Sequence, residues 1–478
     1  IGSLNLSAID VVYIDIPLGI ESRFKIGELE TSIETVDVEK MVFSMNDLNL
    51  SNSNIKYIQK PVLITSTEEA PLPKLSAENI TIKNTKVYYK AEESNLLTDL
   101  NLVDVEIENP NVNLQESIFK VDKFVLRDSK TLVEMQSTSN SNLETTNSEF
   151  IWPAITLDVN EIDIENNSIN YIVNNTKINK NAFDANAISL QDVNLKASTI
   201  FYKDKNAGLL IDTFNFNETS GINLEKLNLN VQLTDKNLDV TNLVVELNKN
   251  KLKANASVSY SSFSQFMASP ETAKLKVSLS SFNIFLKELF KIEPSLRNNK
   301  IINDLSKKPF TGNFYADGTF SSIEIFNSKV LWGNTTQIYL NGILENLTNP
   351  DKLSLNIPDF KAETIKKDVL TFINEEDLGI QIPENIYLTG NINGGLKDVA
   401  TNLNLKSSQG IIALKGNFKN TNTIAFDADI KIEKYQLNQL LKNDQLGEIS
   451  ISVHTKGSGK TLNDLDADLN ATVSDFKF

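Results

Sequence analysis

The chain of 478 residues contains no cysteine and one histidine, His454. The absence of cysteine excludes a disulfide framework, thiolate metal sites and a cysteine nucleophile. One histidine cannot build a multi-histidine zinc site, and any Ser-His-Asp arrangement would need His454. That residue occupies a polar position in the alternating run Ile449-Ile451-Val453, so it reads as a solvated strand histidine. No apolar run reaches the roughly 18 residues of a transmembrane helix, and no signal peptide is recognisable. Basic side chains are outnumbered, 46 against 62, for a formal charge of −16. Nucleic acid is therefore not expected as a partner, because phosphate binding needs a basic stripe. The chain starts at Ile1 without Met and ends at Phe478 inside an alternating pattern. It is expected to be a piece of a longer protein.

What is present is alternation. Leu227, Leu229, Val231 and Leu233 are apolar against polar neighbours. Leu465, Ala467, Leu469, Ala471 and Val473 alternate with Asp466, Asp468 and Asn470. Period two means strands with one apolar face. Helices that would connect βαβ units are missing, so such parallel units are not expected.

A ten-residue pattern recurs six times in the first 202 residues: apolar, any, apolar, any, small or Asn, two turn-like residues, apolar, any, Tyr. The copies are Leu4-Leu6-Ala8-Val11-Tyr13, Leu48-Leu50-Asn52-Ile55-Tyr57 and Ile80-Ile82-Asn84-Val87-Tyr89. They continue as Val105-Ile107-Asn109-Val112-Leu114, Ile162-Ile164-Asn166-Ile169-Tyr171 and Val193-Leu195-Ala197-Ile200-Tyr202. If residues 52 and 53 form a two-residue turn, 50 pairs with 55 and 48 with 57, and all four apolar side chains share one hairpin face. Asn at the first turn position tolerates φ > 0. The Asn109-Pro110 copy departs, since Pro cannot take φ > 0, and needs another turn or a bulge. The copies are irregularly spaced, so this is no strict solenoid.

Glycines mark the second half. Gly312, Gly342, Gly390, Gly416 and Gly457 lie in or at the end of alternating segments and suit bulges or strand ends. Gly390 leads on to Leu396 and Gly457 to Leu462. Three regions carry helical spacing. In the first, Phe282, Phe285, Leu286, Leu289 and Phe290 precede Pro294, with a second short helix from Ser295 to about Leu305. Thr364 could cap a helix carrying Ile365, Val369, Phe372 and Ile373, and Tyr435 to Leu441 is the last. Each is expected to cover an end or rim of the sheet; a gate or partner contact is the sharper alternative. Residues 64–73 and 131–149 read as exposed loops.

Enzyme motifs fail on inspection. Gly457-Ser458-Gly459-Lys460-Thr461 resembles the tail of a phosphate-binding loop, but the required earlier glycine is His454 and a strand follows. Asp464, Asp466 and Asp468 have calcium-loop spacing, but the next glycine is replaced by Leu469 and the twelfth position is Asp475. No catalytic residue, metal site or cofactor is expected.

The expected fold is mostly β: an elongated, curled antiparallel sheet of repeating strand units with a few short amphipathic helices. Its expected parts are β repeats over 1–280, a helical insertion over 281–306, and continuing repeats over 307–478 with short helices near 364–374 and 435–442. Too few helices exist to cover such an apolar face, and a large exposed patch marks a binding surface. Each buried acyl methylene gains roughly 0.8 kcal/mol, so a sixteen-carbon tail gains on the order of 12 kcal/mol. The residues expected to line such a groove are Leu48, Leu50, Ile55, Tyr57, Ile80, Ile82, Val87, Tyr89, Ile162, Ile164, Ile169, Tyr171, Val193, Leu195, Ile200 and Tyr202. A closed β-sandwich stack, adhesin-like with a dry core, is the opposing expectation.

A family likeness spans nearly the whole chain, with its specific motifs in the C-terminal part and the N-terminal repeats resembling the same family's recurring strand units. Its residues are Ile382-Pro383-Glu384-Asn385, Leu388-Thr389-Gly390-Asn391, Ala413-Leu414-Lys415-Gly416-Asn417-Phe418, Leu440-Leu441, Leu446-Gly447, and Thr455-Lys456-Gly457-Ser458-Gly459 with Asp464-Leu465 and Ala467-Asp468-Leu469. This stretch resembles the middle region of the translocation-and-assembly-module TamB family, within the AsmA-like superfamily, as found in Bacteroidota. The resemblance implies a long β-groove with an apolar interior, in a periplasmic protein anchored to the inner membrane of a Gram-negative bacterium. It implies phospholipid transport between the membranes, or outer-membrane protein assembly with an Omp85-family (TamA-like) barrel partner. The anchor and the barrel-binding region would lie outside this chain. The family has no catalytic residues to carry over.

Overall fold

The computed structural model describes the chain except residues 1, 63–70, 137–149, 350, 396, 462–463 and 478. Most of the two expected loops, and Leu396 and Leu462, therefore lie outside the described residues. The fold is mostly β, as the alternation predicts, with a few short helices. The chain divides into two compact units: residues 1–251 with 262–264 and 288–294, and residues 252–261, 265–287 and 295–478.

The first unit holds β1 (Gly2–Asp15), β2 (Ile20–Asp37), β3 (Val42–Ser51), β4 (Asn54–Gln59), β5 (Lys74–Ala91), β6 (Leu96–Glu108) and β7 (Asn111–Asn113). It continues with β8 (Ile118–Arg127), β9 (Lys130–Met135), β10 (Thr156–Val173), β11 (Ala187–Lys203), β12 (Asn206–Glu218), β13 (Asn223–Thr234) and β14 (Asn237–Leu247). Here the structure corrects the hairpin expectation. β3 and β4 do not pair with each other: both pair with β2 on one side and with β5 on the other. They are one long strand interrupted at Asn52-Ser53. β6 with β7, which share β5 and β8 as neighbours, is the same arrangement around Asn109-Pro110. β8 with β9 repeats it at Asp128-Ser129. In β5 and β10 the interruption lies inside one continuous strand, at Asn84 and Asn166.

The interruptions are β-bulges; those at Asn52, Asn84, Asp128 and Asn166 stack at one level, whereas the one at Asn109 lies nearer a rim, between Glu78 and Asp122. The first bulge residue takes φ of 49° at Asn52, 48° at Asn84, 49° at Asn109, 53° at Asp128 and 54° at Asn166, the left-handed region that Asn and Asp tolerate best. Only this residue needs positive φ, so Pro110 fits the second position. A bulge breaks the ladder locally, and the second bulge residue repairs it. Ser53 Oγ donates to Ser51 O at 2.8 Å and accepts the Gly27 N–H at 3.1 Å. Ser129 Oγ donates to Arg127 O at 2.8 Å and accepts the Val103 N–H at 3.0 Å. Asn167 donates to Leu126 O and Glu165 O, both at 2.8 Å, while its Oδ1 accepts the Ser129 N–H. Gly27 is required opposite Asn52, since a Cβ there would stand 2.4 Å from the Asn52 carbonyl oxygen.

The pairing is antiparallel except where β3 and β4 meet β5, and where β8 and β9 meet β10; these two joins are parallel. No helix serves them among the described residues.

The chain passes from the first unit to the second within β15 (Asn250–Ser259). The second unit contains β16 (Lys274–Ile284), β17 (Phe310–Thr319), β18 (Ser322–Trp332), β19 (Thr336–Glu345), β20 (Ser354–Ile365), β21 (Asn385–Gly395), β22 (Asp398–Ser407), β23 (Ile411–Asn420), β24 (Ile424–Gln436), β25 (Glu448–Gly459) and β26 (Asp466–Phe476). From β16 onward each strand pairs antiparallel with the next. The glycine rhythm has a physical cause here. Gly312 lies between bulges on β16 and β18, and a Cβ on it would meet Lys329 O at 1.9 Å.

Helices are shorter than their spacing predicts. Phe282 to Ile284 belong to β16, Thr364 and Ile365 to β20, and Tyr435 and Gln436 to β24, because ladder hydrogen bonds claim them first. What remains helical of these regions is Leu286–Leu289, a 3-10 turn at Pro294–Asn298, and Lys300–Leu305, Lys366–Val369, Glu375–Leu378 and Leu437–Leu441. The last three follow β20 and β24, whose C-terminal ends lie at the same end of the ladder. These helices cover an end of the sheet, as expected.

Asn84→Gly should leave the urea midpoint of unfolding almost unchanged, because glycine adopts φ of 48° freely. Asn84→Val should cost about 1–2 kcal/mol. Equal midpoints for the two variants would show that the left-handed backbone at residue 84 has no influence on stability.

Candidate apolar binding face

Following the register across the first unit from β1 to β11 places side chains in rows. One row reads Leu4, Thr31, Leu48, Ile80, Ile107, Phe124, Ile162 and Ala197. The next reads Leu6, Leu29, Leu50, Ile82, Val105, Leu126, Ile164 and Leu195. Beyond the bulges come Val11, Phe24, Ile55, Val87, Leu100, Thr131, Ile169 and Leu190, and finally Tyr13, Ser22, Tyr57, Tyr89, Thr98, Val133, Tyr171 and Ile188. On every strand five positions separate the second row from the third, as between Leu50 and Ile55 or between Val105 and Leu100. One inserted residue per strand turns that odd number back into the same face.

Thirteen of the sixteen sequence-selected lining residues fall in these rows: Leu48, Leu50, Ile55, Tyr57, Ile80, Ile82, Val87, Tyr89, Ile162, Ile164, Ile169, Tyr171 and Leu195. Ile200 and Tyr202 stand higher up, opposite Val159 and Leu157. Val193 is buried at the bulge level opposite Asn167. The sixth copy is thus displaced along its strand, with its positive φ at Thr199 instead of Ala197.

Sequence reasoning missed the intervening members on β2, β6 and β8, such as Phe24, Leu29, Leu100, Phe124 and Leu126. A signal existed in β8 and β9, where Phe124, Leu126, Asp128, Ser129 and Val133 repeat the pattern with Asp for Asn. β2 carries no such signal, since Gly27 takes the bulge level there.

This face is open. Most residues of the rows are half-buried by their neighbours, while Ser22, Thr31, Leu50, Val105 and Ala197 are buried and Leu4, Val11 and Tyr13 of β1 are exposed. The chain exposes 28626 Å², whereas a chain of this length folded as two compact globules would expose roughly 21,000 Å². The most deeply buried side chains include Thr85 and Ser129 of the bulges, not only apolar ones.

Two ends of the first unit are covered. At the end bearing Tyr202, that ring stacks on Trp152 at 6.0 Å, and Trp152, Phe150 and Phe263 form a cluster with centroids 4.8–5.4 Å apart. The Trp152 indole N–H donates to Asp235 at 2.9 Å and is the main cause holding that carboxyl below its usual range. At the opposite end, Lys291 pairs with Glu288 and donates to Gly221 O, and Phe290 is buried.

In the second unit the helical end is pinned by Asp368, whose side chain is 1 % exposed. It pairs with Lys308 and accepts from Thr335 and Thr336, each at 2.7 Å. Lys308 also stands 4.8 Å over the Trp332 ring, whose N–H donates to Leu305 O at 2.7 Å.

Compared with known proteins, the chain matches no family model, and no curated protein or solved structure is significantly similar to it. Among the other residues that the sequence singles out, His454 is exposed on β25 and meets Asp429 across the ladder at 2.9 Å. Gly457 to Gly459 finish β25, and Asp466 and Asp468 lie on β26 opposite Ser458 and Lys456. Among the described residues no group of metal-ligating side chains converges.

Burial pushes the Asp368 carboxyl up, but Lys308 and the two threonine hydroxyls outweigh it and hold the pKa below the ordinary value. A lowered folded pKa gives stability that is present above the unfolded value of about 3.9 and lost as pH falls through the folded one. Thermal melting of the chain should therefore weaken below about pH 4. Asp368→Asn should lower stability at neutral pH by about 3 kcal/mol, since it strands Lys308, and should flatten the acid limb. An acid limb unchanged in the variant would show that Asp368 does not govern it.

Proposed function

We propose that the apolar face of the first unit carries phospholipid acyl chains, as part of a periplasmic bridge between the inner and outer membranes. The observation that supports this best is the continuous run of apolar rows over eight strand positions, left half-exposed with no second layer over it among the described residues. Such a face stabilises an apolar occupant at every level, so a tail can move along it without returning to water. The resemblance to the TamB family agrees in compartment and cargo, and that family's inner-membrane anchor and Omp85-type barrel partner belong to the same proposal. No catalytic role is proposed.

A second reading has its own observation. β26 is exposed along its whole length and pairs only with β25 among the described residues. An exposed strand edge can template another chain, which suits a scaffold for outer-membrane protein assembly.

The two readings separate by cross-linking. Photoreactive residues placed at Ile80, Ile82 or Ile164 in protein made in a Gram-negative periplasm should capture phospholipid, and Ile82→Asp should strongly reduce the lipid that co-purifies. Absence of acyl adducts at all three positions sinks the lipid reading. Adducts with outer-membrane protein strands at β26 positions, without lipid, would favour the scaffold.

A further inference from the structure

The two rims of the apolar face differ. Copies one, two, three and five of the repeat end on β1, β4, β5 and β10, which all run the same way because strands between them reverse the chain an even number of times or join in parallel. Their terminal tyrosines therefore arrive at one rim. The register adds Ser22 and Thr98, so the rung carries hydroxyls on six of its seven positions from β1 to β10, Val133 being the exception; five of the six face a ligand, since Ser22 is buried and its Oγ donates to Tyr13 O at 3.2 Å. The tyrosine hydroxyls reach toward the strand ends: Tyr13 donates to Asp15 at 3.2 Å and Tyr57 to Gln59 at 3.1 Å. Tyr57 and Tyr89 stack with centroids 5.9 Å apart. The opposite rim lies beyond a second level of irregularity, at Asn109 and between Thr31 and Thr35, which returns the odd separation to the same face; followed from β2 to β10 through Val36, Phe43, Leu75, Val112, Phe119 and Leu157, it has no hydroxyl.

We infer that the tyrosine rung holds the ester and headgroup end of a bound lipid, with its tails directed toward the bulges. This rests on the lipid reading above and gives the lipid an orientation. An aromatic ring with a hydroxyl at its tip suits a boundary where one side is apolar and the other wet. The depth also matches. From each tyrosine to the first bulge residue is five positions, Tyr57 to Asn52 and Tyr89 to Asn84, or ~16 Å at about 3.3 Å per residue. One leaflet of a bilayer is half of a hydrocarbon core about 30 Å thick. A tail of that length anchored at the rung thus reaches the bulge level of buried Ser53, Thr85 and Ser129, and longer tails meet Ile82 and Ile164, two positions further along their strands.

The full chain can be labelled uniformly with fluorotyrosine, its eleven tyrosines giving separate fluorine resonances. Tyr13→Phe, Tyr57→Phe, Tyr89→Phe and Tyr171→Phe each remove one resonance and so assign the rung. The protein is then loaded with phosphatidylcholine carrying a nitroxide either near the ester or at the far end of the acyl chain, and bound lipid is quantified. The expected result is loss of the four rung resonances with the first label and their retention with the second. Equal broadening by both labels, with lipid bound, overturns the orientation and leaves the lipid reading standing. No bound lipid overturns both.

Discussion

The first unit depends on an odd number. The second and third apolar rows stand five positions apart along each strand they cross from β1 to β11, and a pleated strand keeps one face only over even separations. Each strand must therefore insert one residue at the same level, or half of its apolar side chains would turn outward. The insertion costs a ladder hydrogen bond and a left-handed residue. Asn and Asp meet the second requirement at Asn52, Asn84, Asp128 and Asn166. Buried side chains just after them meet the first, since Ser53 and Ser129 accept amide hydrogens from the neighbouring strand. An unmet buried donor costs on the order of 1–3 kcal/mol, so these small polar residues are as necessary to the apolar face as the leucines. Because neighbouring bulges also bond to each other, as Ser168 N–H does to Ser129 O at 3.0 Å, one bulge favours the next.

Direction is the second constraint. A plain meander would send alternate copies of the repeat to opposite rims. The two parallel joins, and the strands between the copies, keep four copies aligned instead. Copies on β6 with β7 and on β11 run the other way, so Leu114 and Tyr202 end at the far rim. Tyr202 is taken up there by Trp152 and does not join the rung.

The sequence made the period, the shared face and the need for positive φ at Asn legible. It could not distinguish a hairpin from a bulge, because both place residues 48, 50, 55 and 57 on one side. The difference lies in which strands are neighbours, and that depends on partners far along the chain, such as β2 beside both β3 and β4. Phe24 and Leu29 were hidden for the same reason: their strand reaches the common register through Gly27 and carries no Asn. Helical spacing at Phe282, Thr364 and Tyr435 was real, but these residues sit at strand ends, where ladder hydrogen bonds outcompete a helix of one turn, whose nucleation is unfavourable.

An open sheet of this kind has few ways to stabilise itself. The second unit gathers a small cluster of Ala316, Ile323 and Ile325 under Phe314, Leu340 and Leu344 and pins one end through Asp368 and Lys308. The first unit closes two ends and leaves the rows between them half-exposed. Its stability rests on the hydrogen-bonded ladder and on contact between neighbours within a row. A ligand that binds such a face in the folded state alone raises stability by mass action. Occupancy and folding are then linked: the same exposed rows that make the unit receptive to an apolar ligand also make it firmer when filled.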